Sequence, residues 1–173
     1  MRDLAVRRAE LDDLPVIVGP RLALLREYEA NPLYGNLQPD AQARALSLFR
    51  AQLNSSGEVM FLAETAAGIV GVIRCVDTQS SPLFLPERYC YISSVYVEPA
   101  HRQHGVLRAM MEAVEAWCAE RSLTEMRLHN GAGASPAEQA WQALGFDVVE
   151  QVRRRVVPAV AGATTHRDPA EVR

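Results

Sequence analysis

The stretch Tyr91–Arg108, YISSVYVEPAHRQHGVLR, constrains the fold more than any other part of the chain. An apolar, β-branched run ends at a proline-marked turn, which opens into a helix through a basic, glycine-bearing segment. Strand, turn and helix start in that order build an anion site. A helix N-terminus leaves backbone N–H groups without partners and carries roughly half a positive charge. A phosphate at that turn is stabilised before any side chain is counted. Arg102 adds a bidentate donor, and Gly105 removes a Cβ where backbone and anion must meet.

The rest of the chain reads as alternating elements. Leu4–Ala9 alternates like a strand. Asp12 and Asp13 open a helix running to about Tyr28, with Gly19-Pro20 as a potential break. Residues 30–39 form a loop, and Asp40 caps a second helix through about Leu53. Val59–Thr65 and Ile69–Asp77 are strands joined by a short hairpin connection. Gln79–Pro86 is a loop and Arg88–Val97 a long strand. A helix from about Arg102 to Arg121 places Val106, Met110, Val114 and Trp117 on one face. Thr124–Asn130 is a strand, Pro136–Leu144 a short helix, and Asp147–Val157 a final strand. Pro136 suits helix entry and Gly145 the position just past the helix end. Residues 1–157 make one domain, followed by a tail, Pro158–Arg173, with little to bury. The expected class is α/β (α+β), with a mixed sheet and helices on both faces.

Composition narrows the partners. With 173 residues, 49% hydrophobic and 23% charged, the chain can bury a core. A formal charge of −3 does not point to nucleic acid or a membrane surface. Cys75, Cys90 and Cys118 lack metal-ligand spacing and read as small buried hydrophobes in a reducing compartment. No apolar signal core opens the chain, so a cytoplasmic location is expected. One decoy follows the fifth strand. Gly131-Ala132-Gly133-Ala134-Ser135-Pro136, with Glu150 downstream, looks like a dinucleotide fingerprint, but proline replaces its third glycine and too few βα units accompany it.

Arg102-Gln103-His104-Gly105-Val106-Leu107 resembles the Arg/Gln-x-x-Gly-x-Gly/Ala turn of the GCN5-related N-acetyltransferases. Ala137–Phe146 likewise resembles that family's Ala-x-x-x-Tyr-x-x-x-Gly-Phe run. The element order matches over about residues 3–157, and the resemblance is specific over 91–146. It implies an acyl-CoA N-acyltransferase fold, mostly antiparallel, whose fourth and fifth strands splay apart to admit pantetheine. It implies acetyl-CoA as cosubstrate and transfer of its acetyl group to a primary amine, small-molecule or peptide, by direct attack in a ternary complex. Val95, Tyr96 and Val97 would bond pantetheine through their backbone. A backbone N–H near Val95 would stabilise the tetrahedral oxyanion. Gln103, His104, Gly105, Val106, Leu107 and Arg108 would offer backbone N–H groups to the pyrophosphate, with the Arg102 and Arg108 side chains beside them. Asn130 and Trp141 complete the expected cofactor contacts. Asn130 also reads as a turn or cap residue. A homodimer through edge strands is within what the resemblance implies.

The chain departs from the family pattern at three places. Leu107 replaces Gly or Ala, and its side chain either crowds the cofactor or enters the core. Ser93 and Ser94 stand where a carboxylate base is common. Trp141 stands where a tyrosine acid is usual, and an indole N–H does not ionise usefully. His129 is the replacement base the sequence offers, because an imidazole ordinarily titrates at about 6.5; a plain surface or core histidine is the competing reading. Tyr91 and Ser93 share a strand face and can relay protons through water. The resemblance implies an acceptor near Glu27, Tyr28, Glu29, Tyr34, Phe84 and Glu87, where acids beside aromatics suit a cationic amine; a solvated helix end and a capped loop explain the same residues. The missing residues leave an alternative open, an acyl-CoA-binding sensor or interaction module without transfer.

Overall fold

The structure, a computed structural model, describes residues 3–131 and 135–157. In chain order the elements are β1 (Ala5–Arg8), α1 (Leu14–Glu27), α2 (Ala41–Leu53), β2 (Glu58–Thr65), β3 (Gly68–Gln79), β4 (Arg88–Val97), α3 (Val106–Glu120), β5 (Met126–Leu128) and α4 (Pro136–Ala143). The five strands form one sheet in sequence order. Pairings β1–β2, β2–β3 and β3–β4 are antiparallel, and β4–β5 is parallel. This is the mixed, mostly antiparallel sheet that the resemblance implies.

Both faces of the sheet are covered, which explains why β2 reads as a continuous apolar run rather than an alternating one. Met60 and Leu62 face α1 and α2, where they meet Leu14, Ile17, Val18, Phe49, Val72 and Tyr96. Phe61 and Ala63 face the other way, toward Val106, Met110, Val114 and Trp117 of α3. The three cysteines are free thiols buried in this second cluster, and burial beside one another pushes the Cys90 thiol up to about 12.

Gly71 sets how closely α3 approaches. A Cβ built there would lie 3.1 Å from Val106 Cγ1 and 3.2 Å from Met110 Cε, so the first turn of α3 rests on bare backbone. Gly71→Val should overpack this contact at a cost of about 1–3 kcal/mol. Thermal unfolding should show a clearly lower Tm, and an unchanged Tm would mean that the helix shifts freely.

Several elements differ from expectation. Gly19-Pro20 does not break α1, which contains Pro20. The carbonyl that Pro20 leaves unbonded belongs to Val16 on the exposed side, where water can satisfy it. Asp40 stands at the N-cap of α2, but its carboxylate binds Arg44 Nε at 2.6 Å instead of capping. The helix expected from Arg102 begins at Val106, after a 3-10 turn over Pro99–His101. Gln103 (φ 62°) and Gly105 (φ 82°) adopt left-handed backbone and delay it. The expected strand 124–130 shrinks to Met126–Leu128.

Asp147–Val157 is not a strand. It has no ladder partner among the described residues, and Val149 is 90% exposed. Its valines at 148, 149, 152, 156 and 157 do not alternate, and Arg153–Arg155 interrupts them. No face or register is specified. The tail from Pro158 lies outside the described residues, as do 132–134 of the glycine-rich decoy. Among the described residues, no helix is long and apolar enough to cross a membrane.

Candidate active site

A break in strand pairing opens the site. β4 pairs with β5 only at Cys90, Tyr91 and Ile92. From Ser93 onward, the edge of β4 that faced β5 has no strand partner among the described residues. β4 is irregular at the same point. Arg74 pairs with Ser93 and Val72 with Tyr96, so two steps on β3 oppose three on β4. This is a β-bulge, with Ser94 at φ 53°, and a bulged strand bends locally, here just where the β4–β5 pairing stops. Val95, Tyr96 and Val97 therefore border a gap with unpaired backbone on one side, and Val97's carbonyl accepts from Arg102 Nε at 2.9 Å.

The turn Arg102–Arg108 stands beyond this gap. Among the described residues, no backbone hydrogen bond runs from the N–H groups of residues 103–108. The first helical bond of α3 runs from Ala109 N to Gly105 O, at 3.0 Å. Gln103, His104, Gly105 and Arg108 are exposed, so these donors reach solvent. A row of free N–H groups at the start of a 15-residue helix has the geometry of an anion cradle. His104 Nδ1 donates to the Arg102 carbonyl at 2.6 Å and tightens the turn. Val106 is buried and Leu107 packs against the core cluster, so the bulk of Leu107 points into the protein.

The Arg102 guanidinium bridges two elements beside the turn. It binds Val97 O and the Glu27 carboxylate, and it lies over the Tyr96 ring at 5.9 Å. It thus ties the end of β4 to α1. Arg108, exposed and in no ion pair among the described residues, remains at the turn beside the backbone N–H groups and the helix end. Glu27, expected beside an amine, is neutralised by its pair with Arg102. Glu29, Phe84 and Glu87 are exposed, with no side-chain hydrogen bond to the site.

At the other end of the gap, where β4 and β5 part, the Tyr91 hydroxyl lies 3.0 Å from His129 Nδ1. The rings tilt at 58° with centroids 5.6 Å apart. Two residues singled out from sequence, 38 positions apart, meet here. Burial, with Tyr34 and Tyr89 next, raises the Tyr91 pKa and keeps the phenol neutral. Ser93 is also placed here. Its Oγ accepts from Arg74 Nη1 at 2.9 Å, and Arg74 in turn binds Glu58.

Tyr28 and Tyr34 close this end, packed edge to face at 5.8 Å. Tyr28 lies so near Gly131 that a Cβ there would come within 2.9 Å of its ring. Asn130 and Trp141, both expected to touch the cofactor, are held by contacts to α4 and the core. Asn130 Nδ2 donates to Glu138 Oε2 at 2.6 Å, holding the end of β5 to α4. Trp141 is 8% exposed and packs on Phe146 within the core.

Arg21 escaped the sequence reading, although a signal existed. Leu14, Ile17 and Val18 mark the buried stripe of α1, and position 21 continues it at helical spacing. Its charged and phenolic neighbours are Arg74, Tyr34 and Tyr91.

No curated protein matches this sequence. Solved structures do. A predicted acetyltransferase from Clostridium acetobutylicum, crystallised with acetyl-CoA, shares 20% identity over 88% of this chain and 96% of its own, with a TM-score of 0.73. A GCN5-related N-acetyltransferase from Ralstonia eutropha shares 23% identity over 88% and 98%, at TM-score 0.70. An aminoglycoside 6'-N-acetyltransferase from Acinetobacter haemolyticus shares 18% over 90% and 99%, at TM-score 0.71. At these identities the likeness is one of fold. The family model for acetyltransferases spans residues 23–146, which include the bulged strand, the gap and the anion turn. With its site built on that same stretch, the chain belongs to the acetyltransferase (GNAT) family.

Proposed function

We propose that this protein transfers the acetyl group of acetyl-CoA to a primary amine by direct attack within a ternary complex. The observation that carries the reading is the run of unpaired N–H groups at 103–108 beside the open edge of β4. Pyrophosphate binds the turn. Pantetheine lies along Val95–Val97, and a backbone N–H near Val95 receives the developing oxyanion. The thioester then sits toward Tyr91 and His129.

Proton movement follows from their hydrogen bond. With the proton on Nδ1, His129 donates to the Tyr91 oxygen and leaves Nε2 free to accept a proton from the attacking amine. The Tyr91 O–H remains free to donate toward the departing thiolate. Ser93, on the same face, can hold a water in this relay.

The test pairs two measurements. Calorimetry with acetyl-CoA should show micromolar binding, with NAD giving no signal. A thiol assay across an amine panel should then show acceptor-dependent release of CoA. Tight binding with no release for any amine would replace transfer with acyl-CoA sensing, and absence of binding would remove the cofactor site.

A further inference from the structure

We infer that the acceptor is an amine that also carries a carboxylate, held by Arg21 at the tyrosine-lined end of the gap. The inference rests on the transferase reading above and adds the substrate class.

Arg21 occupies a position where α1 otherwise buries apolar side chains. It follows Ile17 and Val18 by one turn on the sheet-facing stripe. The side chain is half-buried, and burial and the nearby Arg74 both weigh against its charge. Among the described residues, no carboxylate forms an ion pair with Arg21. Burying a cation without a partner is costly, and a guanidinium does not escape by losing its proton.

The neighbours do not supply the missing charge. Arg74, near enough for its charge to act on Arg21, is matched by Glu58, with Nη2 2.6 Å from Oε2, and its Nη1 donates to Ser93. Tyr91, its phenol kept neutral by burial, supplies no negative charge. Glu27, the acid on the same helix expected to serve the acceptor, is spent on Arg102. Among the described residues, Arg21 thus lacks a matching negative charge, and its guanidinium is a planar donor suited to a carboxylate.

Two consequences follow. A carboxylate on the acceptor would satisfy Arg21 and fix the amine's distance from Tyr91 and His129. Polycationic amines would bring their charge against an unmatched guanidinium and be disfavoured. The same positive charge favours the neutral form of a bound amine, which is the form that attacks.

The experiment measures binding and turnover separately, on the full chain. Simple α-amino acids and their amides are titrated into the CoA-loaded protein by calorimetry, beside spermidine as a polycation. The same compounds are assayed for CoA release with acetyl-CoA. The free acids should bind and turn over about 10- to 100-fold better than the amides. Arg21→Met, which keeps the side-chain volume, should erase that ratio, and Arg21→Lys should restore part of it. Circular dichroism of each variant checks the fold. Equal handling of acid and amide, preference for spermidine, or a ratio unmoved in Arg21→Met would each overturn the inference. If acids bind selectively but no CoA is released, the anion subsite stands and the transferase reading fails. If spermidine turns over well, transfer stands and the carboxylate inference fails.

Discussion

Gly105→Glu should abolish acetyl-CoA binding, weakening it at least about 100-fold in calorimetry while the protein stays folded. Gly105 is the N-cap of α3, at φ 82°, where a side chain costs about 1–2 kcal/mol of strain. A Cβ at this position meets nothing within 4 Å, so added volume does not clash with the protein. The bulk instead occupies the space into which the free N–H groups point. A carboxylate there also opposes the pyrophosphate charge at close range and competes for the same donors. Gly105→Ala is the control. It carries the same strain without the charge and should lose much less affinity. Full affinity in Gly105→Glu would place the anion elsewhere. Equal losses in the two variants would assign the effect to backbone strain.

The cradle was legible in the sequence because its physics is local. A strand, a turn and a helix start within eighteen residues determine where free N–H groups point, whatever the rest of the chain does. Side-chain destinations were not legible in the same way. Arg102 reads as a phosphate ligand, but its pairing with Glu27, 75 residues earlier, could not be read from the local sequence. Asn130 and Trp141 match family positions, but their fates depend on Glu138 and Phe146. The bulge in β4 was equally invisible. Nothing in YISSVYV shows that Ser94 is the extra residue, because a bulge is a relation between two strands. Asp147–Val157 failed for the converse reason. Its valine content suggested a strand, but a strand also needs a neighbour and a consistent face, and its spacing supplies neither. The Tyr91–His129 meeting lay between these cases. Each residue was singled out, and the parallel register of Cys90–Ile92 with Met126–Leu128 is what brings them together.

That meeting leads to the second large effect. His129→Ala should lower kcat by about 100-fold, with acetyl-CoA affinity unchanged. The affinity holds because His129 lies at the opposite end of the gap from the turn at 103–108. Tyr91→Phe removes the hydroxyl that stands 3.0 Å from Nδ1 but keeps the ring packing. It should lower kcat by about 10-fold or more, because the base survives while its tautomer is no longer held. The pair acts as one unit, so the double variant should be little worse than His129→Ala alone. Additive losses would separate the two roles and point to independent contacts. Full turnover in His129→Ala would assign deprotonation to water beside Ser93. The β4 backbone would then be the main source of catalysis, since an N–H near Val95 acts whatever side chain surrounds it.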